Sequence, residues 1–294
     1  MTQTQSPRSD PEGEIGFMTV DETDFRSMPR PEQIRHLEVE GYVVFPEILD
    51  AHRIARIKRE LADAEMGHTS YSANQTRSVT QPQWTSRAVA ELIGYPPMIE
   101  FLTDIMGTEI IFTRGFFQRT LPDTPGISIH TDGQPHGSDL FGYEGSSPRL
   151  LRVLYYLDEL TEKRAPFRLI PRSHLSFHAE ASPYVRYKSH PEEITIVAPA
   201  GTAVVVPAML LHGSHPNKDL QPRKLVQLGY RPAWAGPVQP VEEWDPPLVA
   251  DAPEIAKPFL KSLNTTGATW VQPHKPVGMK SEAPAINPSR WGDK

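Results

Sequence analysis

The chain has 294 residues, of which 38% are hydrophobic and 22% are charged, and it carries a formal net charge of −6. It has no cysteine, which excludes disulfides, zinc–thiolate sites, iron–sulfur clusters and thiol nucleophiles and is consistent with a reducing, cytoplasmic location. The sequence has no apolar run of the roughly 20 residues that a membrane span requires, no signal-peptide core near its start and no long basic block that would favour nucleic acid as a partner.

The first third of the chain predicts helices around one strand. Residues 1–30 are polar and predict a flexible leader. An amphipathic pattern then predicts a helix from Pro31 that ends at Gly41, a strand over 41–49 and a second helix over 51–66. Residues 67–86 look irregular, and a further helix over 88–107 is expected to be interrupted at its two prolines.

After Gly107 the pattern changes to short β-branched or aromatic runs separated by turn residues, which is typical of an all-β sandwich or barrel. The 31 prolines favour strands and loops over a helical bundle. We therefore expect one domain over 31–240 with its β core at about 108–235. The Pro-rich extension over 241–294 contains a weak helical pattern at 253–263, and the terminal extensions offer a route to a homo-oligomer.

Two histidines and one aspartate have the spacing of a metal site. In a strand, residues i and i+2 point to the same face, so the segment SIHTDGQ can direct His130 and Asp132 at one point. His212 ends the apolar run GTAVVVPAMLLHG, and each of the three residues alone is more often structural. Two histidines and one carboxylate that leave three metal positions open are typical of non-haem Fe(II) oxygenases, whereas a structural zinc site fills four.

Arg223 follows His212 by 11 residues and precedes the run KLVQLGYRP. Its planar guanidinium can bind a carboxylate through two hydrogen bonds. From the next strand it could enter the same cavity and bind the far carboxylate of 2-oxoglutarate, which would occupy two open metal positions while O2 takes the third. The alternative is an arginine that is simply solvated.

Several blocks in this order resemble the phytanoyl-CoA dioxygenase family of Fe(II)/2-oxoglutarate oxygenases. Together with GYVVFPEIL near the start, the resemblance covers roughly residues 35–235. It implies a mainly β fold, with a double-stranded β-helix (jelly-roll, cupin-like) core and flanking helices. The blocks are HTD at 130–132, LYYLDELT and FRLIPRSH within 154–174, GTAVVVPAMLLHGSHPN at 201–217 and PRKLVQLGYRP at 222–232.

The resemblance assigns Fe(II) to His130, Asp132 and His212, and it assigns the 2-oxoglutarate clamp to Arg223. Gln118, on the preceding strand, could hydrogen-bond the co-substrate or an iron-bound water. Asp132 argues against halogenation, because related halogenases have a small residue in its place.

The chain departs from the family pattern around its turns. The stretches Arg164-Ala165-Pro166-Phe167 and Pro171-Arg172-Ser173-His174 stand where the family often has Asn-Gly and Pro-Gly-Ser-His. We expect altered turns there, and we expect His174 to cap a turn rather than bind metal.

These features predict a dioxygenase that hydroxylates an unactivated C–H bond of a small molecule and releases succinate and CO2. The glycine-rich loop 133–149 is a candidate lid over the substrate. The alternatives are desaturation, epimerisation or ring formation, a cupin-like metalloenzyme that does not use 2-oxoglutarate, and a non-catalytic jelly-roll binding protein. The residues predicted to line the substrate are Trp84, His136, Phe141 and Tyr143.

Overall fold

The computed structural model of the protein describes residues 18–68, 76–132, 150–175, 182–237 and 240–267. The candidate lid over 133–149, most of the predicted leader and the end of the C-terminal extension lie outside these ranges. The described part of the chain contains no helix that is long and apolar enough to cross a membrane.

Most of the helices precede the β core. Helix α1 has a proline in its first turn and ends at Gly41, whose positive φ of 86° is a conformation that glycine adopts without strain. The side chains of Asp50 and Ser86 accept hydrogen bonds from backbone N–H groups in the first turns of α2 and α3. The helices are α1 (Arg30–Glu40), α2 (Ala51–Glu60), α3 (Arg87–Ile93), α4 (Pro96–Met106) and α5 (Pro246–Asp251).

The strands form two antiparallel sheets, one of seven strands in the order β1-β9-β6-β11-β4-β3-β2 and one of four in the order β5-β10-β7-β8. This arrangement confirms the predicted mainly β, jelly-roll fold with flanking helices. The strands are β1 (Val43–Phe45), β2 (Gly67–His68), β3 (Thr76–Thr80), β4 (Ile110–Thr120), β5 (Ile127–His130), β6 (Leu151–Tyr156), β7 (Phe167–Leu169), β8 (Ile194–Ile196), β9 (Ala203–Pro207), β10 (His212–Ser214) and β11 (Arg223–Pro232).

The main apolar core joins the seven-stranded sheet to the helices. Strands β6 and β9 contribute almost fully buried side chains, and α3 and α4 pack theirs into the same core. Phe25, which precedes α1, and Trp244, Ala256 and Leu260, which follow β11, are also buried in this core. Segments assigned by sequence to the leader and the extension therefore contribute to it, while the boundaries of the predicted domain stay a prediction.

Three element predictions need correction. The helix expected over 51–66 ends at Glu60, and the stretch 67–86, expected to be irregular, contains β2 and β3. The weak helical pattern at 253–263 gives only a short 3-10 turn at Lys257–Phe259. The interruption at Pro96 and Pro97 is confirmed, since these prolines begin α4, where a missing N–H costs nothing.

The two turns that lack the family's glycines still use left-handed backbone. Ala165 has a φ of 42° and Arg172 a φ of 65°, a region that costs a side chain with a Cβ roughly 1–2 kcal/mol. Both turns thus use a conformation that glycine favours, and their expected difference from the family's turns stays a prediction. His174 follows in a 3-10 turn, and its Nε2 donates a hydrogen bond to the carbonyl oxygen of Glu38 at 2.9 Å.

Candidate metal centre and co-substrate cavity

His130 and His212 are direct cross-strand partners in the four-stranded sheet, the first at the end of β5 and the second at the start of β10. Their ring centroids are 4.6 Å apart. The two strands come very close here, because a Cβ added to Gly213 would lie 2.4 Å from the carbonyl oxygen of Ile127. The glycine after His212 therefore permits the strand pairing that brings the two imidazoles together.

Asp132 completes a cluster of three possible metal ligands. One ligand atom from each of His130, Asp132 and His212 lies within 4.8 Å of the others. The Asp132 Oδ1 atom is 3.7 Å from Nε2 of His130, and its Oδ2 atom is 3.6 Å from Nε2 of His212. The structure thus brings together the three residues whose spacing predicted a metal site.

Both histidines present the same nitrogen to this cluster. The Nδ1 of His130 donates to the carbonyl oxygen of Ser128, and the Nδ1 of His212 donates to that of Leu210, each at 2.8 Å. With the proton held on Nδ1, Nε2 carries a free lone pair, which is the form in which a histidine binds metal. Short local hydrogen bonds therefore prepare both rings for a cation.

Burial and charge set the protonation states of this site. Burial lowers the pKa of His130 to about 4, with a further contribution from His212, so the ring is neutral at pH 7. Burial alone would raise the pKa of Asp132, but the charges of Arg152, the two histidines and Arg114 outweigh it and hold that pKa below its usual value. The cluster therefore offers an anionic carboxylate beside the neutral ring of His130.

Beside the cluster is a cavity that opens to solvent. It contains all three candidate ligands together with Gln118 and Arg223, the two residues predicted to bind the co-substrate. Its apolar and polar side chains come from both sheets. The lining residues are Gln118, Ile127, His130, Asp132, Leu154, Tyr156, Phe167, His212, Gly213, Ser214, Arg223, Leu225 and Gln227.

Arg223 begins β11 and is only 2% exposed. Its guanidinium donates to the carbonyl oxygen of Ala165 at 3.0 Å and to Oγ1 of Thr120 at 2.9 Å. It also lies over the ring of Tyr156, 5.6 Å from the ring centre. These contacts hold a cation at the cavity wall in a fixed orientation, which suits it to bind the carboxylate of an elongated diacid.

Two hydroxyl groups of the cavity were missed by sequence reasoning. Tyr156 Oη and Ser214 Oγ are buried and have no hydrogen-bond partner among the described residues. A buried hydroxyl without a partner costs stability, so an unsatisfied pair in a cavity indicates groups kept for a ligand. Tyr156 is the last residue of β6 and lies on the same face as Leu154. Its place in the cavity can be recognised only when the pairing of β6 with its neighbouring strands is known.

One of the four residues predicted to line the substrate, Trp84, lies in the described part of the chain, and it does not line this cavity. Trp84 is packed edge-on against Trp244, with ring centroids 5.8 Å apart, and its Nε1 donates to Oε1 of Gln81. Its predicted role stays a prediction. His136, Phe141 and Tyr143 lie outside the described residues.

A comparison with known proteins identifies the family whose sequence profile the chain matches. The sequence profile of the family described as phytanoyl-CoA dioxygenase matches residues 37–225. A relative from Stutzerimonas stutzeri, named as a probable alpha-ketoglutarate-dependent hypophosphite dioxygenase, is 23% identical over 238 residues, which span 70% of this chain and 80% of the relative.

Solved structures share the fold. The epimerase SnoN, determined with Fe3+, alpha-ketoglutarate and nogalamycin RO, superposes with a TM-score of 0.57 at 18% identity, over 82% of this chain and 92% of its own. HygX from Streptomyces hygroscopicus, determined with nickel and 2-oxoglutarate, gives a TM-score of 0.58 at 16% identity, over 74% and 92%. At such identities the likeness establishes the fold, and the chemistry has to be argued from the site.

Proposed function

The chain belongs to the phytanoyl-CoA dioxygenase family and is an Fe(II)- and 2-oxoglutarate-dependent dioxygenase; we propose that it hydroxylates an unactivated C–H bond of a small molecule at the site formed by His130, Asp132 and His212. The observation that carries this proposal is the convergence of three metal-binding atoms, within 4.8 Å of one another, beside a cavity that also contains Arg223.

The donor set fits Fe(II). Two imidazoles whose Nδ1 atoms donate to backbone carbonyl groups, together with one carboxylate, match the ligands of non-haem iron oxygenases. Asp132 pairs its Oδ2 with Arg152, and its Oδ1 lies 3.7 Å from Nε2 of His130. A carboxylate with one oxygen turned towards the imidazoles suits a cation, so we assign the iron to these three side chains.

The cavity wall fits 2-oxoglutarate. Arg223 supplies a positive, preorganised guanidinium for the far carboxylate, and Tyr156 and Ser214 supply hydroxyl groups that have no other described partner. Gln118 is buried on β4 opposite Leu225 and lines the same cavity, where its amide can donate to the co-substrate or to a water. These four side chains would hold the diacid while the ligand cluster holds the metal.

When bound, iron and 2-oxoglutarate supply the activation of O2, with succinate and CO2 as products of the co-substrate. The residues of this chain provide orientation and a partly dry site. Leu154, Phe167 and Leu225 give the cavity an apolar part of its wall, and the ring of Phe167 lies 5.6 Å from that of His212. The substrate contacts predicted for Trp84, His136, Phe141 and Tyr143 remain part of this proposal and rest on the sequence alone.

Turnover of 2-oxoglutarate tests this function most simply. The purified protein with Fe(II), ascorbate and 2-oxoglutarate should release succinate when a panel of small molecules contains a substrate, and the substrate should gain one oxygen atom. Desaturation, epimerisation or ring formation would release succinate without that mass gain. An isomerase or hydrolase would change its substrate without succinate, and a binding protein would change nothing; either of these last two results rejects the proposal.

We also propose a cytoplasmic location and no nucleic-acid partner. The support is the absence of cysteine and the net charge of −6, which a phosphate backbone would repel. A homo-oligomer formed through the terminal extensions remains a proposal that a light-scattering mass would decide.

A further inference from the structure

Asp132 differs from the other two candidate ligands in how it is held. His130 and His212 belong to strands, and each ring is fixed by a hydrogen bond to its own backbone two residues earlier. Asp132 lies beyond the end of β5, next to the undescribed loop. Its backbone N–H donates to the carbonyl oxygen of Ala208 at 3.0 Å, but this bond leaves the side chain free to rotate about its Cα–Cβ bond.

The side chain of Asp132 is engaged from the opposite sheet by Arg152. This arginine is the second residue of β6 and is 3% exposed. Residues two apart on a strand share a face, so Arg152 lies on the same face as Leu154 and Tyr156, which line the cavity. Its Nε forms an ion pair with Oδ2 of Asp132.

Arg152 belongs to the large sheet, where its cross-strand partner on β11 is Gly229. The backbone of Asp132 is tied to the same end of β6, because Ala208, which accepts from Asp132, in turn donates to the carbonyl oxygen of Leu150, two residues before Arg152. Main chain and carboxylate of Asp132 are thus both anchored to the large sheet, while the two histidines belong to the small one.

We propose that Arg152 is a positioning residue for the metal centre, which fixes the Asp132 carboxylate so that it faces His130 and His212. This inference rests on the proposed assignment of the metal to these three residues. The guanidinium occupies the side of Oδ2, so that Oδ1, 3.7 Å from Nε2 of His130, is left available as a single donor atom. Arg152 does not contact the metal, the co-substrate or the reacting atoms in this role.

Loss of a group that orients a metal ligand typically weakens metal binding by 10- to 100-fold. The test uses the full chain, freed of metal with a chelator and titrated with Co(II) under calorimetry, with the visible absorption of the bound Co(II) as a second readout. The variant Arg152→Met removes the charge and retains the length of the side chain. It should bind Co(II) about 10- to 100-fold more weakly and change the absorption spectrum, because the carboxylate no longer has a fixed orientation.

Two further variants separate positioning from a purely structural role. Arg152→Lys retains a buried cation that supports folding but loses the planar group, and its Co(II) affinity should fall between those of the wild type and Arg152→Met. Arg56→Met removes an arginine of α2 that is ion-paired with Glu60 and Glu91 and does not line the cavity. This variant should bind Co(II) as the wild type does.

The outcomes are distinguishable from a failure of the metal site itself. If a folded Arg152 variant binds Co(II) within about twofold of the wild type, with an unchanged spectrum, while His212→Ala loses binding, the positioning role is wrong and the metal site stands. If His212→Ala also retains wild-type affinity, the metal assignment is wrong and the role of Arg152 fails with it. Weaker binding in Arg56→Met as well would show that loss of any paired arginine has this effect, and would equally overturn the proposal.

Discussion

The two sheets contribute to the site in different ways. The four-stranded sheet has strands of three or four residues and supplies two imidazoles from one cross-strand pair. The seven-stranded sheet has strands of 10 and 11 residues in β11 and β4, and it supplies Arg223, Gln118 and the hydroxyl group of Tyr156 to the cavity. The two proposed imidazole ligands therefore come from one pair of short strands, whereas most of the proposed co-substrate contacts depend on the register of long strands.

This difference predicts that metal binding and 2-oxoglutarate binding can be separated by mutation. Arg223→Leu removes a buried guanidinium from the large sheet, and loss of one partner from a buried charge pair costs about 2–5 kcal/mol. The dissociation constant of 2-oxoglutarate should rise by about 30-fold or more, with little change in Co(II) affinity. Calorimetry with each ligand measures this, and a variant that binds 2-oxoglutarate normally would remove Arg223 from the clamp.

The small sheet should be the more sensitive to acid. Burial, with help from Arg168 and Lys218, lowers the pKa of His215 to about 4, below its ordinary value of about 6.5. His215 binds a proton less tightly in the folded chain than in the unfolded chain. Its contribution to the free energy of unfolding is therefore fully present above pH 6.5 and is lost as the pH falls towards 4.

Replacing His215 by Asn should therefore reduce the loss of unfolding free energy between pH 7 and pH 5 by about 1–2 kcal/mol. Urea denaturation at both pH values provides the comparison. A variant that loses as much stability as the wild type over this interval would show that His215 is not responsible.

Removal of the Tyr156 hydroxyl group should change 2-oxoglutarate binding and protein stability in opposite directions. Burial raises the pKa of Tyr156, so the hydroxyl stays protonated and can donate. Tyr156→Phe should weaken 2-oxoglutarate binding by about 1 kcal/mol, close to fivefold, and should stabilise the empty protein slightly, because a buried hydroxyl without a partner is removed.

Tyr155 provides a matched control on the adjacent position. Its hydroxyl is also buried without a described partner, but Tyr155 does not line the cavity. Tyr155→Phe should show the gain in stability and leave 2-oxoglutarate affinity unchanged. Equal effects of both variants on binding would contradict a specific role for Tyr156.

The smallest expected effect concerns the turn that follows β7 of the small sheet. Arg172 adopts a left-handed φ of 65° and forms exposed ion pairs with Glu40 and Glu192. Arg172→Ala and Arg172→Gly lose these ion pairs equally, and only glycine also relieves the backbone. The glycine variant should unfold with a free energy about 1 kcal/mol higher than the alanine variant; equal values would show that the turn is unstrained.

Sequence patterns predicted the candidate metal ligands and missed several other residues of the site. Alternation along a strand indicates that His130 and Asp132 point to the same side, and the position of His212 after an apolar run marks it as a third candidate. Both signals can be recognised within a short stretch of sequence. Ser214 was missed although it lies two residues after His212 on β10, where the same alternation places it on the face of that ligand. Tyr156 and Arg152 have no such signal, because their roles depend on which strands become neighbours. The strands β2 and β3 were missed for the same reason: polar residues join the sheet only because β4 offers a partner edge.

The central claim is that the metal is held by the imidazoles of one cross-strand pair together with Asp132. Anaerobic titration with Fe(II) tests it directly in the wild type, in His212→Ala and in His215→Ala, whose histidine contacts Thr195 rather than the cavity. The claim predicts one bound Fe(II) in the wild type and in His215→Ala, and none at the same concentration in His212→Ala. Full iron binding by His212→Ala, or its loss in His215→Ala with the fold intact, would contradict it.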